Sequence, residues 1–410
     1  MSNPTNTPLR SITTLLYILV AAGLAFVAIL LVAHFKVQHL RPYVLGELLL
    51  GYPCGFIRRG LMGFLIEKAS QLSGAPPPGV AAVLVWASYA LFYALLLFKL
   101  RHHTLWLLML VLAPWGMLFY VNDYGSFGRK EIFLLLTYLL GLIAIKKAGG
   151  LSTMGGKIAL ALLLLLSTLI HEGFIFLGLP WLALYLQKVF GQNAPPPQSS
   201  YVKHWLKQPA IVLYALGALL VVVLVATTLS VSTTQIECLL SSLTSMAPNR
   251  AQDMELVQSV YWLQKPFAQH VQEATAHNIK DTAALWFWLK RIVPMVLLLA
   301  ALCRAYYTPA TLLRFARQHA LWLVAIAGML AIQLLIALDW GRFLHISFLY
   351  FITTMAFLKP PLYRGTTIFA TFLIGAILAS TLVAYPHLYS PEHPRKSVVK
   401  QYMLKLIKPK

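Results

Sequence analysis

Acidic residues are scarce in this chain, which has 12 aspartates and glutamates against 33 lysines and arginines among 410 residues. Charged residues make up 11% of the sequence, whereas about a quarter is usual in soluble globular proteins. The net charge of +21 is scattered through short segments rather than gathered on one domain. This composition excludes an ordinary soluble enzyme and argues against a nucleic-acid-binding protein.

Sequence motifs for metals and nucleotides are also missing. The three cysteines form no CxxC pair and no Cys/His zinc spacing. Neither GxGxxG nor GxxxxGK[ST] occurs in the sequence. We therefore expect no metal site, no cofactor and no nucleotide site.

Long apolar runs dominate what is present, since 59% of the residues are hydrophobic and the mean hydropathy is +0.73. The first run is too long for a cleaved signal peptide, so we expect it to be retained as a span. The sequence predicts an all-α, polytopic integral membrane protein with about eleven transmembrane helices. The predicted spans are 12–35, 79–100, 104–121, 131–146, 157–171, 173–187, 209–229, 290–303, 320–338, 343–358 and 365–385.

The chain 1–410 is expected to form a single membrane domain, without internal repeats. The two segments in 157–187 can also be read as one broken helix that crosses once. The connecting segments are a partly re-entrant first outer loop 36–78, a cytoplasmic linker 188–208, a long outer loop 230–289 and a basic C-terminal tail 386–410.

The charge distribution predicts a cytoplasmic N-terminus. With eleven spans, every one of the 12 acidic residues falls outside, and the inner loops hold only basic ones. The basic tail is the exception, because it also ends outside. A single crossing at 157–187 would bring the tail inside but would move several basic loops out. Cys54 and Cys238 share the outer side in this topology, so a disulfide between them is allowed but not required.

Charged residues from four separate segments gather at the outer boundary in this topology. In membrane proteins such groups usually line a cavity and pair with one another. Arginine binds phosphate through a planar fork, and a carboxylate or histidine can act as a general acid or base. We predict phosphate binding by Arg58, Arg59, Arg129 and Arg342, and catalytic roles for Glu172, Asp339, His171, Asp123 and Glu131.

Each cluster also has a simpler interpretation. Arg58 and Arg59 could extend to lipid headgroups, and Glu131 could stabilise the start of the next helix. Asp339 and Arg342 have the spacing of a plain intrahelical ion pair. The segment around His171 could mark only a break in a helix. The joint placement of all four on one face favours a shared site.

The layout resembles multi-span membrane glycosyltransferases of the C superfamily and the O-antigen and capsule polysaccharide polymerases. The resemblance lies in the span number, in the polar first outer loop "GYPCGFIRRGLMGFLIEK" (51–68), in the long outer loop 230–289 and in outward arginines with acidic partners. The C-superfamily pattern has an acidic residue or pair soon after the first span. Here the candidates are Glu47 and Glu67, and neither belongs to an Asp-Glu pair.

The residues and the resemblance together suggest glycosyl transfer from a polyprenyl-(pyro)phosphate-linked sugar on the extracytoplasmic face, in cell-surface polysaccharide assembly. The resemblance implies a bacterial inner (cytoplasmic) membrane location and partners among other envelope-assembly proteins, besides the lipid bilayer. The main alternative is a transporter or flippase for an anionic lipid-linked or soluble substrate, which would use the acidic residues for proton coupling. An accessory subunit of an envelope complex is the third possibility.

Overall fold

A large part of the chain is described by a computed structural model. Three predicted spans, 157–171, 173–187 and 209–229, lie wholly or mostly outside the described residues, as do the linker 188–208 and the tail 386–410. Expectations for these segments, including one or two crossings at 157–187, stay predictions. The described residues are 7–38, 40–55, 57, 59–146, 166–167, 169–171, 178–184, 231–250, 253–261, 263, 267–336, 339–358, 363 and 366–383.

Every regular element among these residues is helical, as the sequence predicts. The stretch between the first two spans, predicted as a partly re-entrant outer loop, contains two short helices, α2 and α3. The helices of the first part are α1 (Thr7–Gln38), α2 (Pro42–Leu49), α3 (Leu61–Ser73), α4 (Pro77–Leu100), α5 (Thr104–Leu112), α6 (Leu118–Asn122) and α7 (Glu131–Lys146).

The second part begins within the predicted long outer loop, which is helical over much of its length. A short π-helix (Ala276–Lys280) connects two of its helices. The helices are α8 (Thr233–Met246), α9 (Met254–Tyr261), α10 (Phe267–Thr275), α11 (Thr282–Tyr306), α12 (Pro309–Gln318), α13 (Ala320–Ile336), α14 (Trp340–Leu358) and α15 (Thr367–Ser380).

Four of these helices are long and apolar enough to cross a membrane: Thr14–Ala33 within α1, and the whole of α4, α11 and α14. A fifth crossing follows if α12 and α13, which meet at 74°, count as one bent span. The protein is therefore a plausible helical membrane protein. The other predicted spans lie outside the described residues or form apolar helices shorter than 18 residues.

The predicted span 104–121 is wrong as a single helix, because the chain breaks between α5 and α6. Ala113 is extended, with ψ of 142°, since a residue before proline disfavours the helical conformation. Pro114 itself has no amide hydrogen to donate. The amide of Met117 instead donates to Leu110 O at 2.8 Å, which closes the turn.

The predicted span 290–303 begins too late, because α11 begins at Thr282. The Asp281 side chain accepts hydrogen bonds from the amides of Ala283 and Ala284 and so caps the helix eight residues earlier. Lys290 and Arg291 therefore lie within the helix. The Arg291 guanidinium lies 3.3 Å from the ring centre of Phe287 and is accommodated on the helix surface.

The helices divide the charges between two ends of the molecule. At one end lie the end of α13, Asp339 and the start of α14. The start of α11 lies at the same end, because the Trp288 ring centre is 6.0 Å from that of Trp340. We call this the mixed-charge end. At the other end, α12 joins α11 to α13, and no acidic residue occurs between 282 and 338. We call this the basic end.

Candidate functional site

Three segments that are distant in sequence meet at the mixed-charge end. They are the stretch from α2 to the start of α3, the loop between α6 and α7, and the start of α14. Their side chains form a group of four cations and three carboxylates that we call the charge network. Its members are Glu47, Arg59, Arg129, Lys130, Glu131, Asp339 and Arg342.

Asp339 joins two of these segments. Its Oδ2 lies 2.9 Å from Arg342 Nη2 and 3.5 Å from Arg129 Nη1. The first contact is the local ion pair that the spacing allows, whereas the second crosses to the loop before α7. The simple intrahelical interpretation therefore describes only part of the interaction.

Each of the two arginines also has a second carboxylate. Arg342 Nη1 lies 3.0 Å from Glu131 Oε1, at the first residue of α7. Arg129 Nη1 lies 4.0 Å from Glu47 Oε2. If either arginine lost contact with Asp339, a carboxylate would still hold it in place.

Arg59 stands at the more exposed edge of the network. Its Nη1 lies 3.5 Å from Glu47 Oε1, and its side chain is 26% exposed against 14% for Arg129 and 12% for Arg342. Among the described residues it is the non-glycine residue with positive φ, at 67°. Such a conformation costs on the order of 1–3 kcal/mol and persists only where surrounding contacts enforce it.

Two contacts hold the backbone around Arg59. Lys130 is almost fully buried, and its Nζ donates a hydrogen bond of 2.6 Å to Arg59 O. Cys54 forms a disulfide with Cys238 of α8, with the Cα atoms 5.8 Å apart. The pairing that the sequence left open is therefore present, and it connects the long loop to the segment that carries Arg59.

Burial strengthens the electrostatic coupling in the network. Burial lowers the pKa of Arg129, but the carboxylates of Glu47 and Asp339 raise it, and the net pKa lies above the usual range. The guanidinium also lies 5.0 Å from the ring centre of Tyr43 on α2. Arg129 is therefore permanently charged and held from several sides.

A glycine sets the path of the loop that carries Arg129. Gly128 has φ of 87°, which side-chain-bearing residues rarely adopt. A Cβ atom at this position would lie 2.7 Å from Leu40 Cδ2. Close packing of this loop against the segment before α2 therefore brings Arg129 within reach of Glu47.

Asp123, His171, Arg58 and Glu172 were predicted to join the same site. Asp123 is fully buried at the end of α6 and accepts a hydrogen bond of 3.0 Å from Ser126 Oγ, so it holds the loop before Arg129. His171 is half-buried and follows Ser167, which donates to Thr137 of α7 at 3.1 Å. Arg58 and Glu172 lie outside the described residues.

The sequence analysis assigned no role in the site to Tyr43, or to Lys130, which lies between the predicted site residues Arg129 and Glu131. Glu47 was considered only through the resemblance. An acid inside the apolar stretch "YVLGELLL" is a signal that could have identified it. The other candidate acid, Glu67, instead accepts a hydrogen bond of 3.1 Å from Gln71 on α3.

A shallow surface cavity of about 400 Å³ lies where α9 packs against α2, and no residue of the charge network lines it. Its wall includes Arg41 and Pro42, directly before Tyr43. Within the described part of the chain, no three His, Cys, Asp or Glu side chains are placed to hold a metal ion. The remaining lining residues of the cavity are Asp253, Met254 and Glu255.

No protein-family model matches the sequence, and neither a curated protein nor a solved structure shows significant similarity to it. The resemblance to membrane glycosyltransferases therefore has no support from these comparisons and stays an expectation. What the chain does has to be argued from the charge network.

Proposed function

We propose that the protein transfers a glycosyl group from a polyprenyl-(pyro)phosphate-linked sugar on the extracytoplasmic face of a bacterial inner membrane, in cell-surface polysaccharide assembly. The proposal includes the eleven-span topology with a cytoplasmic N-terminus. The observation that carries it is the Arg129–Asp339–Arg342 cluster, in which two arginines share one carboxylate and each keeps a second.

This arrangement suits an exchange of anions. A phosphate group accepts paired hydrogen bonds from guanidinium groups, so a donor phosphate can replace Asp339 as their partner. Glu47 and Glu131 would keep Arg129 and Arg342 in position during the exchange. Arg59, at the exposed edge, would be the first cation that an arriving phosphate meets.

The exchange would also prepare a base. A carboxylate that loses two cationic neighbours gains proton affinity. Asp339 would then accept the proton of the attacking acceptor hydroxyl, while the arginines stabilise the negative charge on the leaving phosphate. The new glycosidic bond forms as the bond between the sugar and the lipid phosphate breaks.

Two features support an extracytoplasmic position of the network. Disulfides form and persist in oxidising compartments. The Cys54–Cys238 disulfide joins α8 to the segment that leads to Arg59. The opposite end of the molecule, around α12, carries basic residues, and the stretch 282–338 that includes α12 has no acidic residue, which favours the cytoplasmic side. The cavity beside Arg41 would admit a hydrophilic acceptor from outside.

The test uses the purified full-length protein in detergent, with no ion gradient. The donor is the pool of polyprenyl-linked glycans extracted from the expressing bacterium, and binding is measured separately with undecaprenyl pyrophosphate. We expect Asp339→Asn to keep pyrophosphate binding but lose transfer by on the order of 100-fold. Arg59→Gln should weaken binding, whereas Arg304→Gln at the basic end should change neither.

Three results would overturn this proposal. The first is normal transfer by both Asp339→Asn and Arg59→Gln. The second is the absence of any glycosyl product together with gradient-dependent movement of the lipid across proteoliposomes, which would establish the transport alternative. The third is the absence of undecaprenyl pyrophosphate binding to the wild-type protein.

A further inference from the structure

Helix α12 lies at the basic end, away from the charge network. It connects α11 to α13, and α13 has 17 residues, which span about 26 Å at roughly 1.5 Å per residue. The network begins at the far end of α13, with Asp339. Since α12 meets α13 at 74°, it would lie close to the plane of a membrane that α13 crosses perpendicularly.

The two faces of α12 differ in chemistry. Leu312 and Phe315 are half-buried, and the Phe315 ring lies 5.3 Å from that of Tyr307, so this face packs on the protein. Arg314 and Arg317 occupy the exposed face, and Leu313 between the faces is 53% exposed. The exposed surface of α12 therefore offers one apolar side chain beside two cations, which can contact acyl chains and lipid headgroups together.

The charged residues that the structure describes around α12 are all basic. Arg304, at the end of α11, is exposed. His103, at the turn between α4 and α5, lies 6.0 Å from Tyr306, ring centre to ring centre, which brings Arg101 and its neighbours to the same end. No acidic residue occurs from 282 to 338 or from 99 to 122 to compensate these charges.

We propose that α12 is an interfacial helix that binds the headgroups of anionic phospholipids, with Arg314 and Arg317 on the phosphates and Leu313 at the acyl boundary. Anionic lipids fit because uncompensated arginines at a membrane surface attract negative charge. The half-buried face of α12 already packs on the protein and leaves only the basic face for the membrane. This inference does not depend on glycosyl transfer.

The experiment is native mass spectrometry of the full-length protein released from detergent, titrated with phosphatidylglycerol or with phosphatidylcholine of the same acyl chains. We expect the first phosphatidylglycerol to bind more tightly than the first phosphatidylcholine. Arg314→Gln/Arg317→Gln should weaken phosphatidylglycerol binding on the order of tenfold and leave phosphatidylcholine binding unchanged. Both arginines are exposed, so the double variant should fold normally.

Two further variants make the result specific. Lys280→Gln/Lys290→Gln removes the same amount of charge near the start of α11, toward the mixed-charge end, where both lysines are exposed. This control variant should keep the preference for phosphatidylglycerol. Arg314→Lys/Arg317→Lys keeps the charge and should retain most of it. The proposal is wrong if the wild-type protein binds both lipids equally. It is also wrong if Arg314→Gln/Arg317→Gln and Lys280→Gln/Lys290→Gln lose the preference for phosphatidylglycerol to the same extent.

Discussion

Removal of Arg342 should destabilise the protein strongly, because its guanidinium contacts two carboxylates in a nearly dry environment. It lies 3.0 Å from Glu131 and 2.9 Å from Asp339, and the three side chains are 12%, 8% and 16% exposed. Without Arg342, Asp339 would keep Arg129 as a partner at 3.5 Å. Glu131 would stay buried without its arginine, and its Oε2 accepts no hydrogen bond from the described residues even in the wild-type protein. Loss of one partner of a buried pair costs about 3–5 kcal/mol, and we expect a value near 3 kcal/mol for Arg342→Gln.

A double-mutant cycle with Glu131→Gln tests this reasoning. In the double variant neither charge is left unpaired, so its destabilisation should fall short of the sum of the single variants by about 1–3 kcal/mol. The assay is reversible unfolding in mixed micelles by a denaturing detergent, followed by circular dichroism. Arg317→Gln, an exposed change on α12, should stay within about 0.5 kcal/mol of wild type. Additivity of the two single changes would refute a direct Arg342–Glu131 interaction.

Three further outcomes follow from the structure. Gly63→Ala should destabilise the packing of α3 on the segment after α2, because a Cβ would lie 2.1 Å from Leu50 O. Gly79→Ala is the matched control and should be neutral, since nothing lies within 4 Å of its Cβ. Thermal melts of the two variants compare their stabilities directly. Arg59→Gly should keep or raise the thermal stability by relieving the positive φ, while it weakens undecaprenyl pyrophosphate binding. Arg59→Ala should lower both the thermal stability and this binding. Equal melting temperatures for the two variants would contradict backbone strain at Arg59. Cys54→Ser and Cys238→Ser should each lower stability by about 2–4 kcal/mol and should together cost no more than either alone; additive losses in a melt would show that the two thiols are not paired.

The helical class and the positions of several apolar helices, such as α4, α7 and α14, could be predicted from the sequence, because long apolar runs are strong signals. The break at Ala113 could not be located by hydropathy, since the residues on both sides are equally apolar. It follows from the conformation that Pro114 imposes on the residue before it. The early start of α11 was missed because the predicted span began at Lys290, whereas Asp281 caps the helix at Thr282. Long basic side chains such as Lys290 and Arg291 are tolerated near the ends of spans.

The meeting of charged segments at one end was accessible from topology, but the partners were not. Nothing in the spacing of Arg129 and Asp339 indicates that they touch, because the contact depends on how α7 and α14 pack. Glu47 shows the same limitation, since only the fold of α2 against the loop at Gly128 brings it to Arg129. Charge balance among distant residues is a property of the packed structure.

The most direct measurement is cysteine labelling of the two ends in intact cells. In a Cys303→Ala background that keeps the Cys54–Cys238 disulfide, Met254→Cys marks the mixed-charge end and Gln318→Cys marks α12, and both positions are exposed. With a membrane-impermeant maleimide, we predict that Met254→Cys labels in intact cells and Gln318→Cys labels only after permeabilisation. The reverse pattern would place the charge network in the cytoplasm and contradict transfer on the extracytoplasmic face. Labelling of both in intact cells would contradict the placement of the two ends on opposite sides of the membrane.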